Sequence, residues 1–178
     1  TLRRFLTSFI AFREDVVARR TAFELRKARE RRHILCGLAV AVTNVDEIVA
    51  TIRASADPAE AREKLMTRRW PAGDIAEYIK LLADPPHKMN DDGTYNLSET
   101  QARAILDLRL QRLTQLGVRE VTDELQELAG KIKEYLAILS SRERIMAIIS
   151  EELTEVRENF AVPRRTEITE WSGDMEDE

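Results

Sequence analysis

Few residues of this 178-residue chain could do chemistry: two histidines, one cysteine, three tyrosines and a crowd of arginines near its start. His33 lies in a helical stretch and His87 in a polar loop, and neither has partners at metal-ligand spacing. Cys36 has no second cysteine to pair with, and its helical neighbours suit a buried, inert thiol. Tyr78, Tyr95 and Tyr135 have structural readings: an amphipathic helix, a loop before a helix cap, and a seam position. Glycine-rich phosphate loops and serine or cysteine nucleophile motifs are missing from the sequence, and acid pairs on long charged helices are normally solvated. The arginines remain. Residues 1 to 33 hold ten Arg and Lys against four acids, which leaves about −10 on the rest of a chain whose net charge is −4. Arg3, Arg4, Arg13, Arg19 and Arg20 could therefore face the phosphates of nucleic acid, or pair with an acidic helix.

The elements that must carry these residues are long helices. Val121, Leu125, Leu128, Ile132, Tyr135, Leu139, Met146, Ile149, Leu153, Val156 and Phe160 recur at steps of four and three, with Arg142 the one interruption. Such a seam needs a partner helix, and a rod over residues 121 to 160 would be roughly 60 Å long. The partner is residues 1 to 54, where Phe5, Phe9, Phe12 and Val16, then Leu25, Ala28, Leu35, Leu38, Val42, Val45, Val49 and Ile52, keep the same rhythm. Antiparallel pairing brings the early arginines to Glu151, Glu152, Glu155 and Glu158, and a register with Phe12 facing Phe160 sets Ile52 opposite Glu120 and Val121. Hinges are expected where the seams are interrupted, at Arg32, Gly37, Gly130 and Arg142.

Residues 55 to 120 change texture. Asp57-Pro58 reads as an N-cap with proline in the first helical turn, Trp70-Pro71-Ala72-Gly73 as a break, Asp74 as the cap of a further helix, and Asp92-Gly93 as a turn in a polar loop. Ser98 with Gln101 makes a capping box for a helix from about Glu99 to Gly117. That helix is apolar on two sides, so it needs a second surface, supplied either by the monomer or by a second copy. After Phe160, residues 161 to 178 read as an extended acidic tail or linker. The fold class is all-α: a long antiparallel two-helix coiled coil carrying a small helical domain at its tip. No apolar run approaches the ~20 residues of a bilayer span, which suggests a cytoplasmic protein with no membrane partner. A plain scaffold or tether with a protein-binding tip fits the same pattern.

The segment YNLSETQARAILDLRLQRLTQL resembles the signature of the bacterial DNA gyrase and topoisomerase IV A subunits, with the gyrase form favoured. RRTAFELRKARERRHILCGLAVAVTNVDEIVATIRAS, AEAREKLM and PRRTEI resemble the same family in the same order, so the likeness runs over residues 1 to about 168. A glutamate commonly follows the last leucine of the signature, where this chain has Gly117. The resemblance implies that residues 55 to 120 form the exit gate of a type IIA topoisomerase, through which a transported duplex leaves. It also turns Ala102, Ile105, Leu106, Leu108, Arg109, Leu110, Leu113 and Leu116 into dimer-interface candidates. The family's cleaving tyrosine belongs to a domain upstream, so no tyrosine here takes that role and strand cleavage is expected to be absent from this segment. No cofactor is expected here; magnesium and ATP, bound by other domains or by the B subunit, are implied for the parent enzyme. The implied partners are a second copy, double-stranded DNA and the gyrase B subunit.

Overall fold

A computed structural model of the chain describes residues 1–76, 89–108 and 117–167. Helix α1 spans Leu2–Thr43, α2 Val45–Arg53, α3 Pro58–Thr67, α4 Glu99–Asp107, α5 Val118–Leu139 and α6 Arg142–Phe160. Strands β1, Arg69–Pro71, and β2, Thr94–Asn96, form a two-stranded antiparallel sheet with Trp70 level with Tyr95. The all-α reading holds apart from this small sheet. At 42 residues α1 is about 63 Å long. It packs along α5 and, nearer its start, along α6. The pairing of α1 with α5 is antiparallel, from Arg31 with Glu124 near the head to Glu14 with Arg142 where α6 begins, and Arg13 and Arg20 share Glu152 of α6.

Neither rod is continuous, and the causes are local. The first, expected to run to residue 54, ends at Thr43, and α2 leaves it at 92°. Asn44 makes the corner by donating from Nδ2 to Val40 O and Pro71 O, both at 2.8 Å, while its own N–H also reaches Val40 O. A short amide side chain that bonds its preceding turn competes with helix continuation. The turn carries Ile48 into the head core, where Val45, Val49 and Ile52 pack against a cluster that also holds Val121, so α2 joins the head instead of extending the rod. The second rod breaks at two serines. Ser140 Oγ donates to Ala137 O to close α5, and Ser141 Oγ accepts from Arg144 N to open α6. The interruption expected at Arg142 thus falls one residue earlier, and Gly37, Gly130 and Arg32 lie within unbroken helix.

The seam is buried along part of its length only. Leu25 and Ala28 of α1 close on Ile132 of α5, with Leu128, Tyr135 and Leu139 packed against them. Above this layer a larger core joins Leu35, Leu38 and Val40 to Ile48, Leu65, Trp70, Tyr95, Ile105 and Leu125. Toward the other end Val17 and Ile149 are still buried, but Phe5, Phe12 and Phe160 are 69%, 59% and 76% exposed. Glu14 and Glu152, the acids bonded around Phe12, contact Arg142 and Arg13, so Phe12 lies level with residues well before Phe160 and the expected register is overturned. The helical period explains the open stripe. Val16 and Leu25 are nine residues apart, which is two and a half turns, so the phenylalanines lie on the opposite side of α1 from Leu25.

The head is held by local chemistry that the sequence foreshadows. Asp57 Oδ1 accepts from Glu60 N at 2.8 Å with Pro58 in the first turn of α3. Trp70 is fully buried and its indole donates to Leu65 O at 2.8 Å. Gly93, at φ 77°, closes the turn into β2, where Asp92 Oδ1 accepts from Thr94 N at 3.0 Å. The strands were hidden by their length of three residues and by Pro71 in β1. Most of the helix expected after Asp74 lies outside the described residues; Gly73–Ile75 forms a 3-10 turn.

Candidate functional site

Helix α4 presents the surface from which a dimer contact was expected, and its anchor is a polar knot. Gln101 is fully buried. Its Oε1 accepts from Ser98 N at 2.9 Å and its backbone N–H donates to Ser98 Oγ at 3.2 Å, completing the capping box. Its Nε2 then donates to His33 O at 2.7 Å and to Tyr95 Oη at 2.9 Å. His33 Nε2 lies 2.7 Å from Ser98 Oγ. One amide therefore ties α1, β2 and α4 together. Gly37 makes room for it, because a Cβ there would come within 2.7 Å of Gln101 Cβ and Cγ. Spacing in the sequence marks Gln101 as a cap partner only; its bonds to His33 and Tyr95 need the fold to bring residues 68 and 6 positions away alongside it.

This anchoring decides which α4 residues remain available. Ala102 and Ile105, two of the expected dimer-interface residues, are 0% and 1% exposed and belong to the chain's own core. Leu106 and Leu108 are half-buried and pack against the same core. Arg109, Leu110, Leu113 and Leu116 lie outside the described residues. The solvent side of the described helix carries Glu99 and Arg103, paired at 2.7 Å, and Asp107.

The cations expected to face DNA divide as well. Arg13 and Arg20 are both bound by the Glu152 carboxylate, so pairing along the arm occupies them. Arg19 holds Asp15 at 3.0 Å with both groups exposed, and Arg3 and Arg4 are exposed. The foot of the arm is clamped where α6 begins, with Arg142 forked onto Glu14 at 2.7 and 2.9 Å. That hydrogen bonding holds the Glu14 carboxyl below its ordinary value of 4.5 and raises the guanidinium. In the head, the Thr94 hydroxyl and N–H, then Arg69, depress Asp92, while Lys64 and the Ala56 N–H depress Glu60. Among the described residues no group of three or more His, Cys, Asp or Glu is placed to hold a metal ion. No single described helix is long and apolar enough to cross a membrane.

The family model for the A subunits of DNA gyrase and topoisomerase IV matches residues 1–154. The chain belongs to this family. Among relatives named as DNA gyrase A subunits, that of Granulibacter bethesdensis is 48% identical over 177 residues, covering 99% of this chain and 19% of the relative. The Rickettsia bellii protein is 45% identical over 178 residues, covering 99% of this chain and 20% of its own length. The Haemophilus influenzae protein is 46% identical over 180 residues, covering 98% and 20% respectively. The chain thus spans about a fifth of the gyrase A subunits it matches. Its described residues form a paired-helix arm with a small head.

Proposed function

We propose that this segment is the exit-gate arm of a DNA gyrase A subunit, dimerising through its head so that a transported duplex can be retained and then released. The parent would be an ATP-dependent enzyme of the bacterial cytoplasm that uses magnesium, passes one duplex through another and works with the gyrase B subunit. The observation that carries the reading is the joint at Gln101. It fixes the head rigidly to the end of a rod about 63 Å long, so force on the head is transmitted to the arm instead of being lost in a loose linker. A plain tether would work with a flexible tip.

Two such arms, each about 63 Å long, would stand either side of a chamber for the duplex, and the contact closing it must be apolar yet modest if it is to reopen. Leu110 and Leu113 are the residues to test, since Leu106 and Leu108 also support the chain's own core. In sedimentation equilibrium across a dilution series, the chain should dissociate from a dimer, and Leu110→Asp should leave a monomer with unchanged helicity. A concentration-independent monomer in the unaltered chain would refute the gate reading.

A further inference from the structure

We propose that the outward side of α1 between Arg4 and Arg29 is a docking strip for the phosphate backbone of double-stranded nucleic acid, distinct from the arginines consumed by arm pairing. At 3.6 residues per turn, Arg4, Arg19, Arg26 and Arg29 fall within a sector of roughly 80°, on the side of α1 opposite Val17 and Ala28, with Leu25 at the edge next to Arg29. Among the described residues no ion pair engages Arg4, Arg26, Lys27 or Arg29, whereas Arg13, Arg20 and Arg31 are bound across the arm. The acids on the same side are Asp15, which Arg19 holds, and Glu30, so cations are in excess.

Phe23 flanks the strip. Its ring is 42% exposed and makes no part of the buried seam, yet the Arg26 guanidinium sits 5.4 Å and the Lys27 ammonium 5.0 Å from its centroid. Stacking on a ring fixes two flexible side chains beside the helix while leaving their outer N–H groups free for an anion. From Arg4 to Arg29 the strip is about 37 Å long, close to the ~34–36 Å of one duplex turn. A straight row of cations on a rigid rod matches a linear polyanion with evenly spaced charge, and suits a compact anion or an apolar peptide poorly. The inference rests on the DNA-handling reading above for the identity of that polyanion.

The test is fluorescence anisotropy of a labelled 20-base-pair duplex titrated with the chain at several salt concentrations. Replacing both Arg26→Gln and Arg29→Gln should weaken binding roughly tenfold at low salt and lower the slope of log affinity against log salt by about 2. Phe23→Ala should weaken it by a smaller factor, and melting temperatures should stay within a degree or two, since all three side chains are exposed. Unchanged affinity and slope, no duplex binding at low salt, or a preference for single strands, whose bases could stack on Phe5, Phe12 and Phe23, would overturn the proposal. Sedimentation of the same samples separates the two readings. A dimer indifferent to duplex removes the strip and leaves the gate, while a monomer that binds duplex through Arg26 and Arg29 removes the gate and leaves the strip.

Discussion

The two ends of the arm share one sequence rhythm and differ in how they use it. At the head end Leu25, Ala28, Leu35 and Leu38 meet Leu125, Leu128 and Ile132, with the Arg32 side chain buried beside them. At the foot, ion pairs at Glu14 and Glu152 span the helices, Val17 and Ile149 are the last buried apolar residues, and Phe5, Phe12 and Phe160 face solvent. Apolar residues at steps of three and four therefore guarantee a stripe, but not that the stripe on one helix faces the stripe on the other. Burial supplies the cohesion of the upper arm, about 25 cal/mol per Å² of apolar surface, whereas exposed ion pairs supply little at the foot.

The largest effect that could break this contrast is a pair of identical truncations. Leu125→Ala, at a fully buried position, should cost about 2–5 kcal/mol and lower the melting temperature by many degrees, while Leu153→Ala, 41% exposed, should change it little. Equal losses would mean that the foot is packed as tightly as the head. Next come two glycines of the same rods. Gly37→Ala should destabilise by roughly 1–3 kcal/mol because its methyl meets the buried root of Gln101, whereas Gly130→Ala, facing open space, should stabilise by about 0.5–1 kcal/mol. Urea denaturation reads both signs. A smaller effect is expected from Glu152→Gln, which removes one carboxylate from two arginines and should cost about 1 kcal/mol or less, shrinking further in high salt.

The smallest is a pH effect. Glu14, Glu60 and Asp92 are held below their ordinary values when folded, so their contribution is complete at neutral pH and is lost as pH falls through the folded values. Thermal stability should be level from neutral pH to about 5 and decline below the ordinary carboxylate range of about 4, with less decline in Glu14→Gln. A stability that rises on acidification would contradict these pairings.

The architecture was legible because periodicity and caps are local signals. The capping box at Ser98 and Gln101 and the Asp57 cap were readable from spacing, and the charge distribution chose antiparallel pairing correctly. The breaks were not, because Asn44 and the Ser140–Ser141 pair act through side-chain bonds to one turn of backbone, in the absence of any proline or glycine. The register was not legible because steps of three and four run through both Phe12 and Leu25, although their 13-residue spacing puts them on nearly opposite sides of α1. At the head, the two-sided apolarity of α4 was seen, but only packing could show that Ala102 and Ile105 are the inward side.

Hydrogen exchange measured along α1 tests the account most directly, since amide protection reports whether each turn is packed. Slow exchange from about Val17 to Val40, with fast exchange before Phe12, is the expected profile. Uniformly slow exchange from Leu2 onward, or protection strongest at the foot, would contradict an arm closed at its head and open below.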